Sequence, residues 1–264
     1  MILSVVIIAR NAETSIEDCL KSVTFADEII IVDGGSIDRT NEIAKKYKAK
    51  IIKGADWNFA EQRNIGMKAA QGEWLFYIDT DERVSEELQK DIQKVIDYSS
   101  SEARSSHFIR TITPTAFRIK RQNYYLGNHR WPKIEKLERL FKKEFLEGWY
   151  GKLHETPKYK GEIGELDGFL LHYTHQDLSG MVEKTIAWSK IEAKLRLDAN
   201  HPKMSTWRFV RVMVTGFIYS YIQQGGWKVG VTGLVESMYQ SYSMFITYAR
   251  LWEFQMEKVK DSKG

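Results

Sequence analysis

Trp74-Leu75-Phe76-Tyr77-Ile78-Asp79-Thr80-Asp81-Glu82-Arg83 is the stretch that decides how this chain is read. An apolar run leads into two carboxylates spaced i and i+2. A short apolar run with polar bounds reads as a buried strand, so the two aspartates stand at its C-terminal end. In an open α/β sheet, ligands bind in the crevice outside those strand ends. Aspartate oxygens suit a hard divalent cation, and such a cation usually bridges to phosphates of a bound substrate. The motif therefore points to a metal and a diphosphate. Alone it is weak, because exposed acidic turns are common; its weight comes from what precedes it.

Upstream, strand and helix patterns alternate. Strand-like runs fall at 2–9, 28–32, 50–53 and 74–78, and helical spacing at 16–23, 40–47, 59–70 and 85–98. Ser36 or Asp38 could cap the second helix, Gly72 closes the third, and Ser85 caps the fourth, whose Glu86 and Glu87 suit the helix dipole. This alternation predicts a parallel sheet with helices on both faces. Four groups then fall at ligand-binding strand ends: Ala9-Arg10-Asn11, Asp33-Gly34, the helix of Arg63-Asn64, and Asp79-Thr80-Asp81. Asp33 could accept from a base or ribose, or simply form the turn that Asp-Gly-Gly-Ser favours. Arg63 could meet a diphosphate or base, or lie on a solvated helix face. Glu13 could meet the nucleotide, or sit in the first turn of a helix.

The 264 residues, 43% of them apolar, fit one large domain or one domain with an extension. Cys19 is the single cysteine, so no internal disulfide can form and a reducing compartment is the natural setting. The apolar start lacks a basic leader and reads as a strand rather than a signal peptide. A formal charge of +4 agrees with a phosphate-bearing substrate or an anionic membrane surface. There is no internal repeat, low-complexity segment or zinc-type Cys/His spacing, and no nucleic-acid partner is expected.

The segments SVVIIARNAE (4–13), ADEIIIVDGGSIDRT (26–40) and AEQRNIGMKAAQGEWLFYIDTDERV (60–84) resemble the nucleotide-sugar half of glycosyltransferase family 2, whose fold is GT-A. The resemblance runs through 1–98 and keeps the Asp33 turn, the Arg63-Asn64 pair and the Asp-x-Asp in family order. It implies a Rossmann-like α/β sheet with flanking helices. It also implies a donor site built from Ala9, Arg10, Glu13, Asp33, Gly34, Arg63, Asn64, Asp79 and Thr80. Asp33 would bind uracil or ribose, Arg63 the nucleotide, and Asp79 and Asp81 the ribose and metal, with Asp81 the closer ligand to Mn²⁺ or Mg²⁺.

Residues 99–178 are expected to hold the acceptor half, with a basic strand at 116–122. Tyr125–Gly127, Arg139–Phe141, Leu153–Glu155 and His172–Thr174 resemble, in order, recurring elements of the bacterial lipopolysaccharide-core β-glycosyltransferases of the same family. An inverting transfer needs a base opposite the leaving group, and a cation can stabilise the departing diphosphate. Glu155 is the candidate base, its alternative being a strand-end salt bridge. His154 would orient rather than catalyse. His172 is the candidate third metal ligand, its alternative a buried strand histidine. Arg139 and Trp131 are placed with acceptor or phosphate binding, and His175 is read as structural.

From about 180 the pattern is helical, at 181–197, 207–223 and 229–252, giving an all-helical extension at 179–264 behind a GT-A domain at 1–178. No run reaches the ~20 apolar residues that a bilayer span needs. Arg208, Arg211, Lys228 and Arg250 beside Trp207, Tyr219, Trp227 and Trp252 suit a membrane interface; the alternative is packing on the domain or on a second subunit. The expectation is an inverting, metal-dependent glycosyltransferase on the cytoplasmic membrane face, moving a sugar from a UDP-type donor to a lipid-linked glycan. Transfer to a polyprenyl phosphate, non-catalytic sugar-nucleotide binding, and homo-oligomerisation stay open. A nucleotidyltransferase ranks last, since the loop after the first strand has no glycine.

Overall fold

The structure, a computed structural model, describes residues 1–55, 58–100, 114–151 and 155–261. Its nucleus is a parallel block: β1 (Leu3–Ala9), β2 (Glu28–Asp33), β3 (Lys50–Lys53) and β4 (Trp74–Asp79), linked through α1 (Ile16–Ser22), α2 (Thr40–Lys46) and α3 (Phe59–Ala69). These strands are continuous apolar runs because both faces are covered. Val5, Ile7, Trp74, Phe76 and Ile78 join one core, while Val6, Leu75 and Tyr77 join the other. Register aligns Ala9 with Asp33, Asp33 with Lys53, and Ile8 with Asp79. The predicted ligand groups therefore emerge along one edge.

Beyond β4 the sheet becomes mixed, which strand–helix alternation in the first hundred residues does not reveal. The later elements are β5 (Glu82–Val84), α4 (Glu86–Ser100), β6 (Ala116–Tyr125), β7 (His129–Lys142), β8 (Leu146–Tyr150), β9 (Thr156–Tyr159) and β10 (Ile163–Tyr173). The eight-stranded sheet has the order β3-β2-β1-β4-β7-β6-β10-β5, and β8 pairs with β9 separately. Antiparallel pairing of β7 on β4 sets Phe76 opposite Leu140, and β10 on β5 sets His172 opposite Glu82. Late-sequence residues are thereby delivered beside the Asp-x-Asp turn.

Local chemistry explains the boundaries. Ser85 caps α4 as expected, its Oγ accepting from Leu88 N–H at 3.2 Å. At α2, Asp38 Oδ1 accepts from Thr40 N–H at 3.0 Å, while Ser36 turns back to Asp33 instead. Asn58 caps α3 by accepting from Glu61 N–H.

The chain divides into two units, Met1–Gln122 with Glu135–His172, and Asn123–Ile134 with Tyr173–Gly264. The second contains α5 (Leu178–Asp198), α6 (Thr206–Ile218), a π-helical turn at Tyr219–Gln223 and α7 (Gly230–Asp261). Inside it, His175 Nδ1 lies 3.0 Å from the fully buried Glu236 carboxylate, and Tyr239 Oη donates to Met181 O at 2.6 Å. No helix among the described residues is long and apolar enough to cross a membrane.

Gly66 shows packing overruling propensity. A Cβ there would lie 2.3 Å from Val6 Cγ1, a core methyl that cannot swing away. Alanine favours a helix interior by about 1 kcal/mol, but overpacking a core costs about 1–3 kcal/mol. Gly66→Ala is expected to destabilise the protein, lowering the urea unfolding midpoint at unchanged slope.

Candidate active site

The Asp79-Thr80-Asp81 turn joins β4 to β5, and its backbone is pinned from several sides. Arg83 donates to Thr80 O at 2.9 Å, to Glu82 O at 2.8 Å, and to Ser15 O at 2.8 Å. The Asp79 N–H donates to Glu82 Oε2 at 2.9 Å. Glu82 is fully buried, and Arg121 Nη1 donates to its other oxygen at 3.2 Å. The Cys19 thiol donates to Asp79 O at 3.4 Å, and burial pushes its ionisation above the ordinary thiol range, as suits an inert core thiol.

Two arginines hold the Asp79 side chain. Arg63 Nη2 donates to Oδ1 and Arg139 Nη2 to Oδ2, each at 2.8 Å. Burial opposes the Asp79 charge, but Arg139, Arg63 and Arg121 outweigh it and hold the carboxyl well below the usual carboxylate range. Arg63 also donates from Nε to Glu155 Oε1 at 2.9 Å, and its guanidinium sits 4.9 Å from the Trp149 ring centroid. At 1% exposure, Arg63 is not on a solvated helix face. Arg63 Nη1 and Arg139 Nε are buried with no hydrogen-bond partner among the described residues. Buried donors of this kind call for a partner, and an oxygen-rich ligand supplies one.

Asp81 and His172 form the second feature. His172 Nε2 lies 3.2 Å from Asp81 Oδ2, both side chains being partly exposed. A carboxylate beside an imidazole suits Mn²⁺, which accepts nitrogen as well as oxygen ligands. Among the described residues no three His, Cys, Asp or Glu side chains converge as a metal cage. Two protein ligands completed by substrate phosphates and water are a sufficient set for such a cation, so these residues fit one. Asp79, also expected as a ligand, has both oxygens engaged by arginine.

Other expected donor residues serve the local architecture. Asp33 Oδ1 accepts from Ser36 N–H and Oγ–H at 2.9 and 2.6 Å, and Oδ2 accepts from Asn41 Nδ2 at 2.8 Å, so both oxygens hold the turn. Glu13 Oε2 accepts from Arg39 N–H, and Asn11 N–H donates to Ser36 Oγ, sewing the loops after β1 and β2 together. Gly34 N–H donates to Ala9 O at 2.8 Å. Asn64 spends its amide on the Trp149 peptide, donating to its O at 2.9 Å and accepting from its N–H at 2.8 Å, which ties α3 to β8. Arg10 is exposed at the end of β1, and Thr80 contributes its carbonyl to the Arg83 clasp. Trp131 belongs to the second unit, where it packs on Tyr125 at 4.9 Å between ring centroids. His154 lies outside the described residues.

The structure thus brings Arg63, Asp79, Asp81, Arg139, Glu155 and His172 into the first unit, joined in two linked sets. Sequence reasoning missed Glu82, Arg83 and Arg121 as the scaffold of this site. The one signal was their position: two follow the motif directly, and Arg121 lies in the basic strand.

Residues 4–160 match the model of the family Glycosyl transferase family 2. Over 269 residues the chain is 26% identical to an uncharacterized glycosyltransferase of Rickettsia typhi, covering 97% of this chain and 88% of that one. It is 25% identical to the lipopolysaccharide core biosynthesis glycosyltransferase LpsC of Rhizobium meliloti, covering 95% and 92%. Among solved structures, the mannosyltransferase PcManGT from Pyrobaculum calidifontis, in complex with GDP-Man and Mn²⁺, superposes with a TM-score of 0.51 at 10% identity. It covers 94% of this chain and 86% of that one, a likeness of fold. The fold is GT-A with a C-terminal helical region, and the chain belongs to glycosyl transferase family 2.

Proposed function

We propose that this protein is an inverting glycosyltransferase that moves a hexose from a nucleoside-diphosphate sugar, with UDP as the first carrier to test, onto a hydroxyl of a lipid-linked glycan. The observation that carries this reading is the Arg63 guanidinium, which binds Asp79 of the Asp-x-Asp turn and Glu155 at once. A donor-side carboxylate and a candidate base are thereby held on one rigid group. The relationship to LpsC supports a lipopolysaccharide-core acceptor, and the GDP-Man and Mn²⁺ bound by PcManGT support a sugar-nucleotide donor with a cation. The catalytic domain is taken as 1–178 and the helical tail as 179–264, working at the cytoplasmic face of a membrane.

In the proposed step the acceptor hydroxyl oxygen bonds to the anomeric carbon of the donor. The bond from that carbon to the diphosphate oxygen breaks, and its electron pair leaves with the diphosphate. The hydroxyl proton passes to Glu155 on Oε2, since Oε1 is held by Arg63. The buried donors of Arg63 and Arg139 without partners bind oxygens of the donor as charge builds on it. Asp81 and His172 would hold a divalent cation, which supplies charge neutralisation to the departing diphosphate. Arg10, Glu13 and the Asp33 turn bound the nucleotide, and Trp131 and His154 serve the acceptor.

Two substitutions test the roles separately. Glu155→Gln keeps an oxygen for the Arg63 Nε–H but removes the base. It is expected to lower kcat by about 10²–10⁴-fold while leaving UDP affinity unchanged by calorimetry. Retained turnover would point instead to an already ionised acceptor such as a polyprenyl phosphate. Asp81→Ala is expected to abolish the gain in UDP affinity on adding Mn²⁺, measured by the same titration. An equal gain in the variant would remove Asp81 from the metal site.

A further inference from the structure

The second unit carries an α6–α7 hairpin that keeps a row of large apolar side chains on its outer face. Its helices run antiparallel, as Phe209 stacks near Phe245 while Ser220 Oγ meets Ser237 Oγ at 3.0 Å. Part of the seam between them is small and polar, although Val212 and Leu251 of these helices are also buried. Ser237 Oγ donates to Gly233 O at 2.7 Å, and Ser241 Oγ donates to Met213 O at 2.8 Å. The approach is close enough that a Cβ on Gly216 would meet Met244 Sδ at 2.6 Å. Several large apolar side chains nonetheless point outward. Val210, Val214, Ile218 and Ile222, each four residues from the last, are exposed along α6 and the π-helical turn. Val231 and Met238 are exposed at 77% and 58% along α7.

In water this arrangement leaves a row of exposed aliphatics, and apolar surface of this kind marks an interaction site. Small residues and hydroxyls in the seam with aliphatics outside is the packing that an apolar medium favours, because there the aliphatic side chains gain nothing by turning inward. The charges say which apolar medium. Between 199 and 252 the basic residues are Lys203, Arg208, Arg211, Lys228 and Arg250, and the one acidic residue is Glu236. Glu236 is fully buried, held by His175 and by Gln240 Nε2 at 2.7 Å, so the accessible formal charge over 199–252 is wholly positive, while exposed Glu253 and Glu257 lie beyond that stretch on α7. A symmetric pairing of two copies through this face would set like charges against each other. An anionic surface is attracted to it. Exposed Trp207 and Trp227 mark the two ends of the patch, where amphipathic rings suit the headgroup level.

We propose that the outward face of the α6–α7 hairpin docks in the headgroup–acyl boundary of an anionic bilayer, lying in the plane of one leaflet with Arg208, Arg211 and Lys228 on lipid phosphates. The docking stands independently of the transfer reaction proposed above. Its test is flotation of the full chain with vesicles of phosphatidylglycerol and phosphatidylcholine, and with vesicles of phosphatidylcholine alone. The expected result is flotation with the first, at least about tenfold weaker with the second, and reduced by salt. Each basic residue near an anionic surface contributes about fivefold in partitioning, so Arg208→Glu with Arg211→Glu should weaken flotation by at least about 25-fold. Val214→Glu with Ile218→Glu, at exposed positions, should weaken flotation without unfolding the helices seen by circular dichroism. UDP titration of all variants reports on the donor site separately. The proposal is overturned if the wild-type chain does not float, if the variants float equally well, or if lipid-free sedimentation shows a dimer that Val214→Glu with Ile218→Glu dissociates.

Discussion

The site depends on one buried cation. Arg63 lies at the heart of the first unit, where a guanidinium is tolerated only if carboxylates offset its lost hydration. Burial works against its charge, and the carboxylates of Asp79 and Glu155 overcome that and keep it protonated. Removing one partner from a buried pair costs about 3–5 kcal/mol, since the remaining charge is stranded. This constraint therefore fixes the relative positions of α3, the end of β4 and the start of β9. The Trp149 ring under the guanidinium adds a cation–π contact, and Asn64, one residue further along α3, locks the same tryptophan by its backbone. Arg63 and Asn64, adjacent on the helix, thus divide two tasks: one organises charge and the other anchors the hairpin that presents the charge's neighbours.

From this centre the network extends through Asp79 to further charged groups. Glu82, fully buried, ties the Asp79 N–H to Arg121, and Arg139 lies 3.7 Å from it while bonding Asp79. These groups fix one another through hydrogen bonds and charge while Arg139 Nε is left over, an arrangement that suits a preorganised site. Asp81 and His172 lie at the open margin, bound to each other and partly exposed. Within Asp79-Thr80-Asp81 the two carboxylates divide by partner: the first is held by Arg63 and Arg139, and the second faces His172.

The helical unit obeys a different rule. In the sheet unit, Val, Ile and Trp are inside and charge is resolved in buried pairs; in the α6–α7 hairpin, Ser220, Ser237 and Gly216 share the interior with Val212 and Leu251, while Val210, Val214, Ile218 and Ile222 are exposed.

Much of this was legible in the residues. The apolar run at 74–78, its period of alternation with helical segments, and the position of carboxylates and arginines at strand ends determined the parallel half of the sheet and the edge where those groups gather. Those are local signals, set by side-chain spacing and backbone sterics. Which partner takes each oxygen was not local. Arg63 meets Glu155 across 92 positions, and Arg139 meets Asp79 across 60, through an antiparallel β7 that no nearby spacing announces. The same is true of Glu82, which meets Arg121 of β6 and Arg139 of β7, whereas the oxygens of Asp33 find Ser36 and Asn41 within their own turn and the helix after it. Sequence determined which chemical groups arrive at the sheet edge; tertiary structure decided how they pair, because a buried charge selects its partner by three-dimensional proximity and desolvation rather than by distance along the chain.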